Sequence, residues 1–139
     1  MKTVIRRNIF ETNSSSAHVL SMTNKVDFMT KPSSNKIQIK FNDYGWYGPD
    51  VISYEDKLNY LYALAQETNI SDKVFLKTIN KIIPKEYTVC LPVKTDQGAY
   101  WENHSSIDHQ SIYLLEEEGV SWEEFLNKPY IIEIRNDNE

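Results

Sequence analysis

Two helical segments that follow one another between Ser53 and Pro84 constrain this fold more than any other feature of the sequence. Ser53 and Ser71 each precede acidic residues, which is the pattern of a helix cap followed by a first turn that suits the helix dipole. Pro84 cannot continue a helix and therefore ends the second segment. Apolar residues recur at helical spacing in both segments: Tyr54, Leu58, Leu61 and Ala65, then Phe75, Ile79 and Ile82. The pattern predicts an antiparallel helical hairpin.

Segments with strand character lie on both sides of this hairpin. Alternation in Lys36–Phe41 puts the three apolar side chains on one face and the polar ones on the other. Further strands are predicted at Lys2–Glu11, Ala17–Met22, Glu86–Val93 and Tyr130–Arg135, and short helices at 112–118 and after Ser121. The elements follow in the order strands, helical pair, strands. This order predicts an α+β fold with a mainly antiparallel sheet and the hairpin packed on one face. The length of 139 residues favours a single domain, 1–139.

Composition narrows the class of protein. A net charge of −5 argues against a general nucleic-acid-binding protein, which normally shows a basic stripe. The single cysteine, Cys90, lies in an apolar run where we expect it to be buried, and it offers no disulfide framework, which fits a reducing cytoplasm. Neither a signal peptide nor an apolar run of membrane-spanning length is visible, so we expect no membrane partner.

A dense polar stretch follows the first predicted strand. It supplies the following candidates: Glu11, Thr12, Asn13 and Ser15 as ligand-binding residues, and Ser14, Ser16 and His18 as catalytic ones. Short polar side chains beside a strand end hold a ligand or a reacting group in place. The alternative is ordinary turn and helix-cap chemistry, in which Asn and Ser side chains bond the neighbouring backbone.

A second polar stretch, Ile107–Ser111, contributes the catalytic candidate His109 and the ligand-binding candidates Asp108 and Ser111. If both stretches meet, two imidazoles, two carboxylates and several hydroxyls surround one pocket, a set that suits phosphate oxygens and proton transfer. Trp46, in a loop rich in aromatic residues, is a further ligand-binding candidate as a stacking platform. The alternative, which is the commoner case for aromatic residues in loops, is a side chain that fastens the loop.

Three catalytic interpretations stay open beside simple binding. His109-Gln110-Ser111 fits the H-x-S/T element of two-histidine phosphodiesterases, whereas the residues after His18 do not. Ser14 or Ser16 with a histidine is a nucleophile pair without the G-x-S-x-G elbow. His104, Asp108 and His109 are metal-ligand types without a recognised spacing, so no metal site is predicted and the cofactor is unknown.

Three pieces of the chain resemble a family of small proteins from bacteriophages and low-GC Gram-positive bacteria. The most specific piece is Arg7–His18, which matches the R-x-x-F-E-T-N-S-S-S-x-H opening of that family. Similar middle and C-terminal pieces are Tyr44-Gly45-Trp46 with 57–62, and 107–111 with 124–126 and 130–137. The resemblance implies a phage or prophage accessory protein in the host bacterial cytoplasm, and implies no particular reaction.

We therefore expect a viral accessory protein that counters a host defence system, for example as an anti-CRISPR inhibitor. Its expected partner is a host defence protein or a nucleotide ligand, bound in the polar Asn/Ser/His/Asp pocket. One alternative is a hydrolase or phosphodiesterase that acts on nucleotides or phosphate esters at the same pocket. Another is an inhibitor that binds its partner through an acidic surface such as Glu116–Glu118.

Overall fold

The structure is a computed structural model that describes residues 2–6, 16–23, 31–44, 49–95, 97–98, 103–107 and 111–136, with backbone alone at 2–6, 16–17, 23 and 135–136. Its helices are α1 (Tyr54–Glu67), α2 (Asp72–Ile82), α3 (Leu114–Glu117) and α4 (Trp122–Asn127). Its strands are β1 (Lys2–Arg6), β2 (Ser16–Thr23), β3 (Lys36–Gln38), β4 (Asp43–Tyr44), β5 (Thr88–Cys90), β6 (Ser106–Ile107) and β7 (Tyr130–Asn136). The predicted α+β class is confirmed.

The largest described sheet is antiparallel, with the strand order β1-β2-β7. β2, which confirms the predicted strand Ala17–Met22, is its central strand and runs antiparallel beside β1. The register places His18 opposite Ile134 on β7, and an isolated bridge from Val51 to Ile132 continues the pairing on the far side of β7. Residues 7–11 of the predicted first strand lie outside the described residues.

The remaining described strands form two separate parallel pairs, β3 with β5 and β4 with β6. Each pair joins a strand before the helical pair to one after it, which local patterning does not reveal. The predicted strand Lys36–Phe41 is shorter in the structure, where β3 pairs with β5 from Lys36 to Gln38. The expected burial of Cys90 is wrong: its side chain is only half-buried, at the end of a strand that pairs with β3 alone among the described strands.

Helix α1 occupies the centre of the core, since ten of its fourteen residues are buried. Its predicted cap is confirmed as a capping box, in which Ser53 Oγ accepts from the Asp56 N–H and the Asp56 carboxylate accepts from the Ser53 N–H. Helix α2 is capped by Ser71 as predicted. The two helices contact through the rings of Tyr62 and Phe75, whose centroids lie 5.2 Å apart.

Candidate functional site

His18 lies in the interior of the protein, on the central strand of the antiparallel sheet. Its side chain is fully buried, and its Nδ1 lies 3.4 Å from the hydroxyl oxygen of Tyr60 on α1. Which of the two atoms donates depends on the imidazole tautomer. The ring centroids are 6.2 Å apart and the planes are tilted by 56°. The histidine therefore ties the sheet to the central helix.

Tyr60 joins four elements into one cluster, which we call the aromatic cluster: His18, Tyr44, Tyr60 and Phe125. The Tyr44 ring meets Tyr60 edge-on at 5.1 Å, and the Phe125 ring on α4 lies 6.1 Å from it. Such edge and tilted contacts are the preferred geometry of aromatic pairs. Strand β2, strand β4, helix α1 and helix α4 thus meet at a single side chain.

Tyr44 connects the aromatic cluster to the second polar stretch. It is the last residue of β4 and pairs in parallel with Ile107, the last residue of β6. Both side chains are buried, and burial raises the pKa of the Tyr44 hydroxyl above its ordinary value, although the hydrogen bond from Asn42 acts in the opposite direction. Because the strands are parallel, β4 and β6 end at the same edge.

Residues 105–107 are held against the second half of α1. Ser105 is buried, its N–H donates to Gln66 Oε1 at 2.7 Å, and its hydroxyl accepts from the Asn42 N–H at 3.1 Å. The Ile107 N–H donates to the Glu67 carboxylate at 3.4 Å. These bonds keep the entry to the second polar stretch against the same helix that carries Tyr60.

Lys57 stands one turn before Tyr60 and is fully buried. Its Nζ donates to the main-chain oxygen of Lys128 at 2.9 Å and lies 5.5 Å from the centroid of the Phe125 ring. Desolvation by burial lowers the pKa of this amine from 10.5 to about 7. A titratable group with a pKa near neutrality therefore lies beside the aromatic cluster.

Three of the predicted site residues fall in the described part of the chain. His18 is described above, Ser16 is described only by its backbone at the start of β2, and Ser111 is buried just before α3, which contacts β2. The other candidates lie outside the described residues: Glu11, Thr12, Asn13, Ser14, Ser15, Trp46, Asp108 and His109. Their assignment stays a prediction.

Sequence reasoning missed Lys57 and Tyr60 as members of this region. A signal for Lys57 was present, because it lies three residues after Tyr54 and four before Leu61 and so falls within the apolar stripe. Tyr60 lies beside that stripe, and only the tertiary contacts single it out. Within the described residues, no group of three or more His, Cys, Asp or Glu side chains gathers in a way that suits a metal ion.

Comparisons of this chain with protein-family models, with curated proteins and with solved structures find no match. In the part of the chain that the structure describes, none of the helices has the length and apolar character needed to cross a bilayer.

Proposed function

We propose that this protein is a viral accessory protein of phage or prophage type, which counters a host defence in the bacterial cytoplasm by binding a host protein or a nucleotide ligand. The phage type is what the resemblance of Arg7–His18 implies, and one observation of the structure supports a shared polar pocket. His18, which ends the first polar stretch, bonds Tyr60, and the Tyr60 ring contacts Tyr44, the strand partner of Ile107, where the second stretch begins. The described elements that lead to both stretches thus converge on one helix.

Binding is favoured over catalysis by the surroundings of His18. A general base must come within hydrogen-bond reach of the proton that it removes. The His18 ring is fully buried and faces Tyr60, so it is suited to hold the wall of a pocket. Ser111 is buried as well, which supports the same role for its hydroxyl.

The second candidate function is a hydrolase or phosphodiesterase at the same pocket. The observation in its favour is the sequence His109-Gln110-Ser111, which fits the H-x-S/T element of two-histidine phosphodiesterases. In this alternative His109, with Ser14 or Ser16, carries the reaction.

A plaque assay tests the proposed function. The protein is expressed in Gram-positive hosts that each carry one defence system, and the plating efficiency of a sensitive phage is measured. We expect the wild-type protein to restore plating in at least one host, and Asn13→Ala/Ser15→Ala to lose that effect. The matched control is Ser34→Ala/Asn35→Ala, the same residue types in an exposed loop, which should keep it. Failure of the wild-type protein across the panel contradicts the proposal.

A thermal-shift screen with nucleotides and divalent metals separates binding from turnover. In the binding interpretation, a nucleotide raises the melting temperature and is recovered unchanged. In the enzymatic interpretation, the nucleotide is consumed and His109→Ala stops its consumption. If no nucleotide shifts the melting temperature but charge reversal at Glu116–Glu118 abolishes activity against the defence system, the acidic-surface alternative replaces both.

A further inference from the structure

Positive charge is concentrated on α2 and the chain that follows it. Residues 71–94 contain five lysines and two acidic residues, in a protein whose net charge is −5. Lys73, Lys77 and Lys81 are all exposed and follow one another at intervals of four residues. They therefore share one face of α2, at steps of about 6 Å along the helix axis. We call these three residues the lysine face.

The lysine face is not paired with acidic side chains in the part of the chain that the structure describes. Within the described residues, no hydrogen bond or ion pair involves the side chains of Lys73, Lys77 or Lys81. By contrast, Lys94 pairs with Asp72 at 3.0 Å and Lys128 pairs with Glu124 at 3.3 Å. Like charges four residues apart destabilise a helix. Lys81 lies in the last turn of α2, where the helix dipole favours a cation, but Lys73 and Lys77 have no such compensation within the helix.

Two exposed apolar side chains lie in the same part of the chain, one beside Lys73 of the lysine face and one beside Lys94. Val74 is 51% exposed directly after Lys73, and Val93 is 84% exposed directly before Lys94. Lys73 and Lys94 also line an open cleft of about 580 Å³ at the start of α2. Aliphatic and basic groups side by side fit a protein segment that carries both apolar and acidic residues.

We propose that the lysine face docks an acidic segment of a partner protein. Carboxylates at every second residue of an extended segment are about 6.6 Å apart, close to the step of the lysines. The exposed valines favour this occupant over the sugar-phosphate backbone of a nucleic acid. This surface is on α2 and does not depend on the polar stretches, so either proposal can fail alone.

Fluorescence anisotropy with a labelled peptide of alternating Glu and Val tests the docking surface. We expect the wild-type protein to bind the peptide at low salt and more weakly at physiological ionic strength, because salt screens exposed charges. Lys73→Gln/Lys77→Gln/Lys81→Gln should weaken binding at low salt by about tenfold or more. All three positions are exposed, so the variant should keep the wild-type circular dichroism spectrum.

The matched control is Lys31→Gln/Lys36→Gln/Lys40→Gln, which removes the same charge from three exposed lysines elsewhere. It should change binding by less than about twofold. The proposal is overturned if both triple variants weaken binding equally, or if the wild-type protein does not bind the peptide. It is also overturned if a single-stranded oligonucleotide binds more tightly than the peptide and loses affinity in the Lys73 triple variant.

Discussion

Tyr60 and Tyr54 are both buried, but their hydroxyl groups differ in hydrogen bonding. Tyr60 bonds His18, whereas Tyr54 Oη is buried without a hydrogen-bond partner in the described structure. Tyr60→Phe should therefore lower the free energy of unfolding by about 1 kcal/mol. Tyr54→Phe, the matched control, should be neutral or stabilising, since it removes an unsatisfied polar group. Urea denaturation of both variants measures the difference, and equal effects would show that the His18–Tyr60 bond contributes nothing.

Burial of Lys57 makes stability depend on pH. Its folded pKa is about 7 and its ordinary value 10.5, so between these values the unfolded chain binds more protons than the folded one. Stability should then rise from pH 7 towards pH 9.5, by at most about 1.4 kcal/mol per pH unit from this group. Lys57→Met should flatten that rise, and Lys40→Met, at an exposed position, should preserve it. Denaturation curves across this pH range test the prediction, which an unchanged slope in Lys57→Met contradicts.

At the scale of elements, the helix caps are the features that local chemistry predicts best. Ser53→Ala removes the hydroxyl that accepts from the Asp56 N–H and should cost about 1 kcal/mol of stability. Ser106→Ala removes only an exposed bond to Asp43 and should change stability by less than about 0.5 kcal/mol. Thermal unfolding followed by circular dichroism distinguishes the two. A loss for Ser106→Ala as large as that for Ser53→Ala would contradict the account.

Helix starts were predictable from the sequence because they depend on neighbouring residues. The pairing of the strands was not predictable in this way. Ser53 and Ser71 cap helices as predicted, and the helix predicted after Ser121 is capped by Ser121, because a cap depends on residues only three positions apart. The parallel pairs β3–β5 and β4–β6 escaped prediction, since each joins residues about fifty to sixty positions apart through strands of only two or three residues.

The candidate site was predictable only in part, for a related reason. The density of polar residues in the two stretches indicated His18 and Ser111 as site residues. Residue type alone, however, does not predict that both side chains are buried. Lysine side chains usually lie at the surface, whereas Lys57 is buried. The hydrogen bond from its amine to the main-chain oxygen of Lys128, which is distant in sequence, offsets part of the cost of burying it.

At the scale of the whole molecule, α1 organises the described structure. The three-stranded sheet contacts α1 through His18. The β4–β6 pair contacts α1 through Tyr44 and through the hydrogen bonds of residues 105–107. Charge is distributed unevenly around this centre, with lysines on α2 and exposed glutamates on α3. We infer two separate binding regions, one near the aromatic cluster and one on the lysine face.

Nuclear Overhauser effects from the His109 ring test most directly whether both polar stretches share one pocket. The chain has three histidines, so single substitutions assign every imidazole signal. We expect cross-peaks between the His109 ring and at least one ring of the aromatic cluster, formed by His18, Tyr44, Tyr60 and Phe125. A His109 ring whose cross-peaks all lead to other residues would contradict this expectation.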